Sequence, residues 1–232
     1  MTYVISDIHG EYEKYISMLQ KINFRDSDTL YVLGDVVDRG ERPVDILRDM
    51  MARSNVYPVI GNHELMALEL LEALSVEITE ENYASHIDSR LMASLLQWQF
   101  NGGNTTIKQF QKLPKDERES VLEYIGEFVP YELVKAGTRK FLLVHAGLGN
   151  FSEDKELDDY TLEELTCVRP DFDKRYFNDE NFFVVSGHTP TLAISGKPEI
   201  YKKQNNICID CGASFDGKLA CLCLDTMEEF YV

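Results

Sequence analysis

Five times in this chain an apolar, strand-like run stops at an Asp, Asn or His beside a small residue. Val4-Ile5-Ser6 leads into Asp7-Ile8-His9-Gly10, and Tyr31-Val32-Leu33-Gly34 into Asp35, then Val36-Val37-Asp38-Arg39-Gly40. Pro58-Val59-Ile60-Gly61 leads into Asn62-His63-Glu64. Phe141-Leu142-Leu143-Val144 leads into His145-Ala146-Gly147, and Val184-Val185-Ser186-Gly187 into His188. The carboxyl ends of strands are where open α/β sheets build their sites. Glycine at such a point lets backbone approach a ligand closely or adopt conformations other residues resist. Four of the five histidines fall in these segments. One histidine there would be an ordinary core residue; four, with three aspartates, are not.

The donors are carboxylate, imidazole and amide, without thiolate, which suits manganese, iron, zinc or related divalent ions, nickel and cobalt among them. Asp7, His9, Asp35, Asn62, His145 and His188 are too many ligands for one tetrahedral ion. Two ions sharing one carboxylate, about 3.5–4 Å apart, fit the set better. Asp7 and His9 stand at i and i+2, so both can face one ion. His63 directly follows Asn62 and is expected to point elsewhere, free for proton transfer.

Strand-like runs at 2–5, 30–33 and 56–60 alternate with helical patterns at 11–22 and 44–52, which predicts parallel strands with crossover helices. Residues 64–126 read as a mostly helical insertion, with helices near 90–100 and 115–125 broken by Asn101-Gly102-Gly103-Asn104. From 131 the chain is strand-rich, at 131–135, 140–144, 182–185, 206–209 and 218–224, with Gly137 and Asp216-Gly217 as hairpin turns. The fold expected is a single α/β domain over 1–232, with outer helices and two packed sheets. Trp98 and His86 carry no functional signal; helix packing and surface position account for them.

The chain has a formal net charge of −17, with acidic runs such as Glu80-Glu81 and Glu153-Asp154-Lys155-Glu156 that read as solvated surface. That balance opposes a nucleic-acid surface, which needs a basic face. An acidic protein that binds phosphate needs local positive charge, which bound divalent cations supply. No apolar run approaches the roughly 20 residues of a membrane helix. A strand-like run begins at Tyr3, which leaves no room for a signal peptide, so a soluble cytoplasmic protein is expected. Cys167, Cys208, Cys211, Cys221 and Cys223 are an odd set for a disulfide framework and read as buried free thiols.

Taken together, Ser6 to Gly10, Gly34 to Gly40, Gly61 to Glu64, His145-Ala146-Gly147 and Gly187-His188 resemble the signature of the PPP-family metallophosphoesterases, the serine/threonine protein phosphatases. Phe100-Asn101-Gly102-Gly103, Val185 to Pro190 and Ile209-Asp210-Cys211-Gly212-Ala213 resemble its compact bacterial and phage branch, the lambda-phosphatase-like enzymes. The resemblance spans essentially the whole chain and implies a four-layer α-β-β-α sandwich. It implies that Asp7, His9 and Asp35 bind a first metal, that Asp35 bridges, and that Asn62, His145 and His188 complete the second. His63 is then the general acid, held by Asp38. Arg39 binds phosphoryl oxygens with Asn62, and Arg169 is the best match for a second phosphate-binding arginine. Ser6 stands where the family has Gly, Ala146 where it has a middle Gly, and Cys211 where Thr is common; the last suggests sensitivity to oxidation.

The activity this implies is hydrolysis of phosphomonoesters by a manganese-type dinuclear enzyme. A hydroxide bridging the ions, made available as the pKa of bound water falls from about 15.7 toward neutrality, attacks phosphorus directly. The partner is a phosphoprotein or a small phosphorylated substrate, with no nucleic acid and no membrane. A bis(5'-nucleosyl)-tetraphosphatase-like hydrolase of dinucleoside polyphosphates shares these motifs and is the alternative. A metal-dependent nuclease is opposed by the charge, and a degenerate metal-binding signalling module by the presence of every ligand and of the acid.

Overall fold

The computed structural model describes residues 1–76 and 88–232, so Glu80-Glu81 and His86 lie outside the described residues. The chain opens with β1 (Thr2–Ile5), α1 (Tyr12–Lys21), β2 (Thr29–Leu33), α2 (Pro43–Met51) and β3 (Val56–Val59). Pro43 begins α2, at a position where its missing N–H costs nothing. A helical stretch follows: α3 (Asn62–Ser75), α4 (Ser89–Phe100), α5 (Asn104–Phe110) and α6 (Lys115–Gly126). The Asp88 carboxylate caps α4 by accepting from Leu91 N at 2.8 Å. Then come β4 (Tyr131–Ala136), β5 (Arg139–Val144), a 3₁₀ turn at Leu157–Asp159, α7 (Leu162–Thr166), β6 (Phe182–Ser186) and α8 (Thr191–Ser195). The chain finishes with β7 (Tyr201–Lys203), β8 (Asn206–Cys208), β9 (Ala220–Cys223) and β10 (Glu229–Tyr231).

The strands form two five-stranded sheets, ordered β10-β9-β1-β2-β3 and β4-β5-β6-β8-β7. β1, β2 and β3 are parallel, as are β5, β6 and β8; the edges add antiparallel strands. Side-chain alternation sorts the core into three layers. Val4, Leu33, Val59 and Leu222 from the first sheet meet Phe141, Leu143, Val185 and Ile207 from the second, so the sheets pack face to face. Tyr3, Ile5, Leu30 and Val32 turn the other way, onto Tyr15, Met18, Ile46 and Leu47 of α1 and α2. Leu142, Val144 and Val184 are covered by Leu148, Tyr160, Leu165 and Tyr176. Outer layer, sheet, sheet, outer layer is the expected sandwich.

Two local expectations are corrected. Asp216-Gly217 is no hairpin turn, because β8 and β9 belong to different sheets and the turn carries the chain across the sandwich. The break at Asn101-Gly102-Gly103 is followed at once by α5, which the apolar pattern did not reveal. Among the described residues no helix is long and apolar enough to cross a membrane.

Candidate metal centre and active site

Both sheets deliver their strand ends to one seam. Asp7 and His9 follow β1, Asp35 follows β2, and Asn62 and His63 open α3; His145 follows β5, and His188 lies just beyond β6. Asp7, His9, Asp35, Asp38, Arg39 and His188 all adopt positive φ, between +46° and +72°. For side-chain-bearing residues this costs about 1–3 kcal/mol each and survives only where neighbours enforce it. The enforcement is visible. His9 N donates to Asp35 O at 2.8 Å, Gly40 N to His9 O at 2.8 Å, and Arg39 N to Gly102 O at 3.0 Å. A Cβ on Gly187 would collide with the Asp7 carboxylate, and the small Ser6 side chain fills the same space.

Backbone carbonyls fix three ring tautomers. His9 Nδ1 donates to Val37 O at 2.9 Å, His145 Nδ1 to Leu33 O at 2.7 Å, and His188 Nε2 to Cys167 O at 3.1 Å. The opposite nitrogen of each ring is therefore a lone pair. His9 Nε2 faces Asp35 Oδ2 at 3.5 Å, and His145 Nε2 faces Asp35 Oδ1 at 3.4 Å. His145 Nε2, His188 Nδ1 and Asn62 Oδ1 converge within 3.0–3.2 Å of one another. Lone pairs this close with no proton between them repel unless a cation sits among them. Burial lowers the pKa of all three rings, His9 to about 3 and His188 to about 4, so they are neutral and ready to ligate. Asp35 Oδ1 and Oδ2 face different rings, as a bridging carboxylate must. His9, Asp35 and His63 form one close donor cluster, and Asp35, His145 and His188 a second. The chain's own donors thus fit two divalent ions.

Asp7 lies outside both clusters, where each of its oxygens accepts from His188 N, at 3.0 and 3.1 Å. Burial and the neighbouring Asp210 and Asp35 carboxylates raise its pKa. Asp210, to which the sequence reading gave no role, is buried at the same wall and accepts from Gly212 N at 2.9 Å. Burial raises it to about 6. Three buried carboxylates in one cavity call for cations.

His63 is placed for other work. Its Nδ1 donates to Asp38 Oδ2 at 2.6 Å, and its Nε2 lies 3.2 Å from Arg39 Nη2. Burial disfavours the imidazolium, but the Asp35 and Asp38 carboxylates outweigh it and raise the pKa above its ordinary value. Asp38 is itself fully buried, and Trp98 Nε1 donates to it at 2.8 Å and Thr106 Oγ1 at 2.6 Å. Trp98 is therefore more than helix packing, which corrects the sequence reading. The available signal was position: Trp98 and Thr106 bracket Asn101-Gly102-Gly103. Glu64 was missed too. Fully buried, its carboxylate accepts from the backbone N–H groups of Asp35, Val36, Val37 and Gly61 at 2.7–3.2 Å. It shapes the loop that carries Asp35.

A cavity of about 240 Å³ opens over this arrangement. Asp7, His9, Asp35, Arg39, Asn62, His63, Arg169 and His188 all line it, with Asn101, Pro190, Asp210 and Phe215. Among the predicted site residues, Asp38 and His145 stand behind the wall. Cys208, Cys211, Cys221 and Cys223 are buried free thiols, as expected, whereas Cys167 is exposed. Burial pushes the Cys211 thiol up to about 12, which suppresses the reactive thiolate and removes the ground for oxidation sensitivity.

The calcineurin-like phosphoesterase family matches residues 2–215. The chain belongs to that family. That family typically carries a dinuclear metal centre, and the two donor clusters of this chain could hold one. Over 99 residues it is 35% identical to the symmetrical bis(5'-nucleosyl)-tetraphosphatases of Salmonella typhimurium and Salmonella newport. That stretch covers 42% of this phosphoesterase and 35% of each relative, so it spans about a third of their length. A crystal structure described as a candidate diadenosine tetraphosphatase superposes with TM-score 0.66 at 19% identity, over 100% of this chain and 92% of that one. A serine/threonine phosphatase from Saccharomyces cerevisiae gives 0.57 at 14% identity, over 100% and 79%. At these identities the two structures speak for the fold alone.

Proposed function

We propose that this phosphoesterase cleaves phosphate linkages with two divalent ions, and that its preferred substrate is a dinucleoside polyphosphate. The lone pairs converging on both oxygens of Asp35 carry the two-ion reading. His9 and Asp35 hold one ion with Asp7; Asp35, Asn62, His145 and His188 hold the other. Manganese is the ion expected first. When bound, the pair neutralises phosphoryl charge and acidifies water.

The remaining work belongs to side chains. Arg39 and Arg169, both at the cavity wall, bind equatorial phosphoryl oxygens with Asn62 and stabilise charge that develops there. His63 donates a proton to the leaving oxygen, with Asp38 fixing its ring and favouring its charged form. While Arg39 Nη2 donates to His63 Nε2, that nitrogen cannot hold the proton. A phosphate in the cavity gives Arg39 another partner, which frees Nε2 to take it up. Binding and acid catalysis are thereby coupled.

The substrate class is supported by the 35% identity to symmetrical tetraphosphatases, a nearer likeness than that of any protein phosphatase described above. This supports the alternative drawn from the sequence over the serine/threonine phosphatase. One observation favours the second reading: Asn101 of the Asn101-Gly102-Gly103 segment lines the cavity, and that segment is what resembles the protein phosphatase branch. With manganese, diadenosine tetraphosphate should be cleaved to ADP with kcat/KM at least about tenfold above phosphoserine, phosphothreonine and phosphotyrosine peptides. Preference for a phosphopeptide would return the enzyme to the protein phosphatases.

A further inference from the structure

An exposed phenylalanine ordinarily means little. Phe215 is different because of what holds it and what it touches. It sits on the turn that carries the chain between the sheets, which is locked in several places. Gly212 and Asp216 adopt φ of +74° and +58°. Phe215 N and Gly217 N both donate to Gly212 O, at 2.9 and 3.0 Å. Lys14 of α1 reaches across to the carbonyls of Ala213 and Gly217. A Cβ on Gly217 would run into the carbonyl of Cys211, so the turn closes tightly. This rigid turn stands the Phe215 ring at the cavity wall with Arg39 Cζ 4.7 Å from its centroid. Ser214 Oγ meets Arg39 Nη1 at 3.4 Å. The guanidinium covers one face, yet the side chain remains 56% exposed.

We propose that Phe215 determines specificity: it clamps Arg39 against one face of its ring and offers the other, at the cavity mouth, to the nucleobase of a nucleoside phosphate. The inference rests on the dinucleoside polyphosphate reading and deepens it. A phosphate held by Arg39 puts the attached nucleoside beside whatever flanks Arg39, and the flanking group is an aromatic plane. Every base presents a π-face, so such a platform accepts nucleosides without reading their sequence. A phosphoserine peptide has no flat group at that distance. The platform also suits the acidic chain, because it holds the neutral part of the substrate without requiring positive charge.

AMP and ribose 5-phosphate share phosphate and sugar and differ in the base. Calorimetric titration of both into the manganese-supplemented protein and its F215A, F215L and F215W variants isolates the ring's contribution. Wild type should bind AMP more tightly than ribose 5-phosphate. F215A and F215L should weaken AMP by roughly tenfold more than ribose 5-phosphate, within the range that base–aromatic stacking allows. F215W should restore the difference, and melting temperatures would confirm that all variants fold. Equal losses for the two ligands would reduce Phe215 to a support for Arg39 and overturn the proposal, as would equal affinities in wild type. Poor cleavage of diadenosine tetraphosphate beside intact base-dependent binding would fail the substrate reading and leave the platform standing.

Discussion

Asp38 shows how single residues in this site depend on partners far away in sequence. A buried carboxylate is costly unless its oxygens are satisfied. Here His63, Trp98 and Thr106 satisfy them, over sequence separations of 25, 60 and 68 residues. Trp98→Phe keeps most of the buried volume and deletes one donor. The expected stability loss is about 1.5–3 kcal/mol, the scale of a hydrogen bond to a charged group. Function should show more. With Asp38 less constrained, turnover on substrates with alkoxide leaving groups should fall about tenfold, a fraction of the range for general acid catalysis. p-Nitrophenyl phosphate, whose leaving group needs little protonation, should lose far less. Equal losses on both would make Trp98 a packing residue after all. The ligand types were legible because strand-end Asp, Asn and His stand out against apolar runs. Trp98, Thr106 and Glu64 were not, because a helix hides which of its residues face a loop elsewhere.

At the level of elements, the alternating pattern of 2–60 was legible because a buried parallel strand and an amphipathic helix leave different periods. Turn chemistry was less informative. Asp-Gly suits a hairpin and a crossover equally, and which sheet receives the next strand is a tertiary matter. Short elements escaped as well, α7 among them. Five residues lie below the length at which propensity alone sustains a helix. Glu164 compensates: its carboxylate accepts from Thr161 N at 2.9 Å, Asn150 Nδ2 at 3.1 Å and Lys155 Nζ at 2.7 Å. α7 matters to the site because Ala146 N, next to His145, donates to Leu165 O, and because α7 leads to Arg169. Lys155 foremost, with the Thr161 N–H and Asn150, lowers the Glu164 carboxyl from 4.5 to about 2. A depressed acid stabilises the fold above its unfolded pKa and loses that contribution as pH falls toward its folded one. Glu164→Gln should therefore be less stable than wild type near neutrality, with the gap narrowing between pH 4.5 and pH 3. Urea unfolding across that range reads it directly; a gap independent of pH would mean the charge contributes nothing.

For the whole molecule, the deciding fact is that strand ends of two sheets share one seam. The first sheet supplies Asp7, His9 and Asp35, and the second His145, His188 and Asp210. The strand-end ligands were legible as one site, whereas their division between two sheets was not, and Asp210 went unread because it lies between Cys208 and Cys211, which read as buried thiols. The consequence is a protein of formal charge −17 that concentrates buried carboxylates where its two sheets meet. Among the described residues, Arg39 and Arg169 are the only Lys or Arg side chains that line the cavity. Without metal, burial foremost and then the Asp210 and Asp35 carboxylates disfavour the charged form of Asp7, which is why its pKa is raised. Asp7→Asn keeps an oxygen for the His188 amide while removing that charge. The metal-free variant should therefore melt at or above the temperature of metal-free wild type. Added manganese should raise the wild-type melting temperature, since a ligand at 100 times its Kd stabilises by about 2.7 kcal/mol. The variant should show a much smaller rise, and elemental analysis should find less bound metal. A variant that melts lower without metal, yet responds to manganese as wild type does, would place Asp7 in the scaffold. The outcome expected is that the fold tolerates this crowding of charge because the ions it binds repay it.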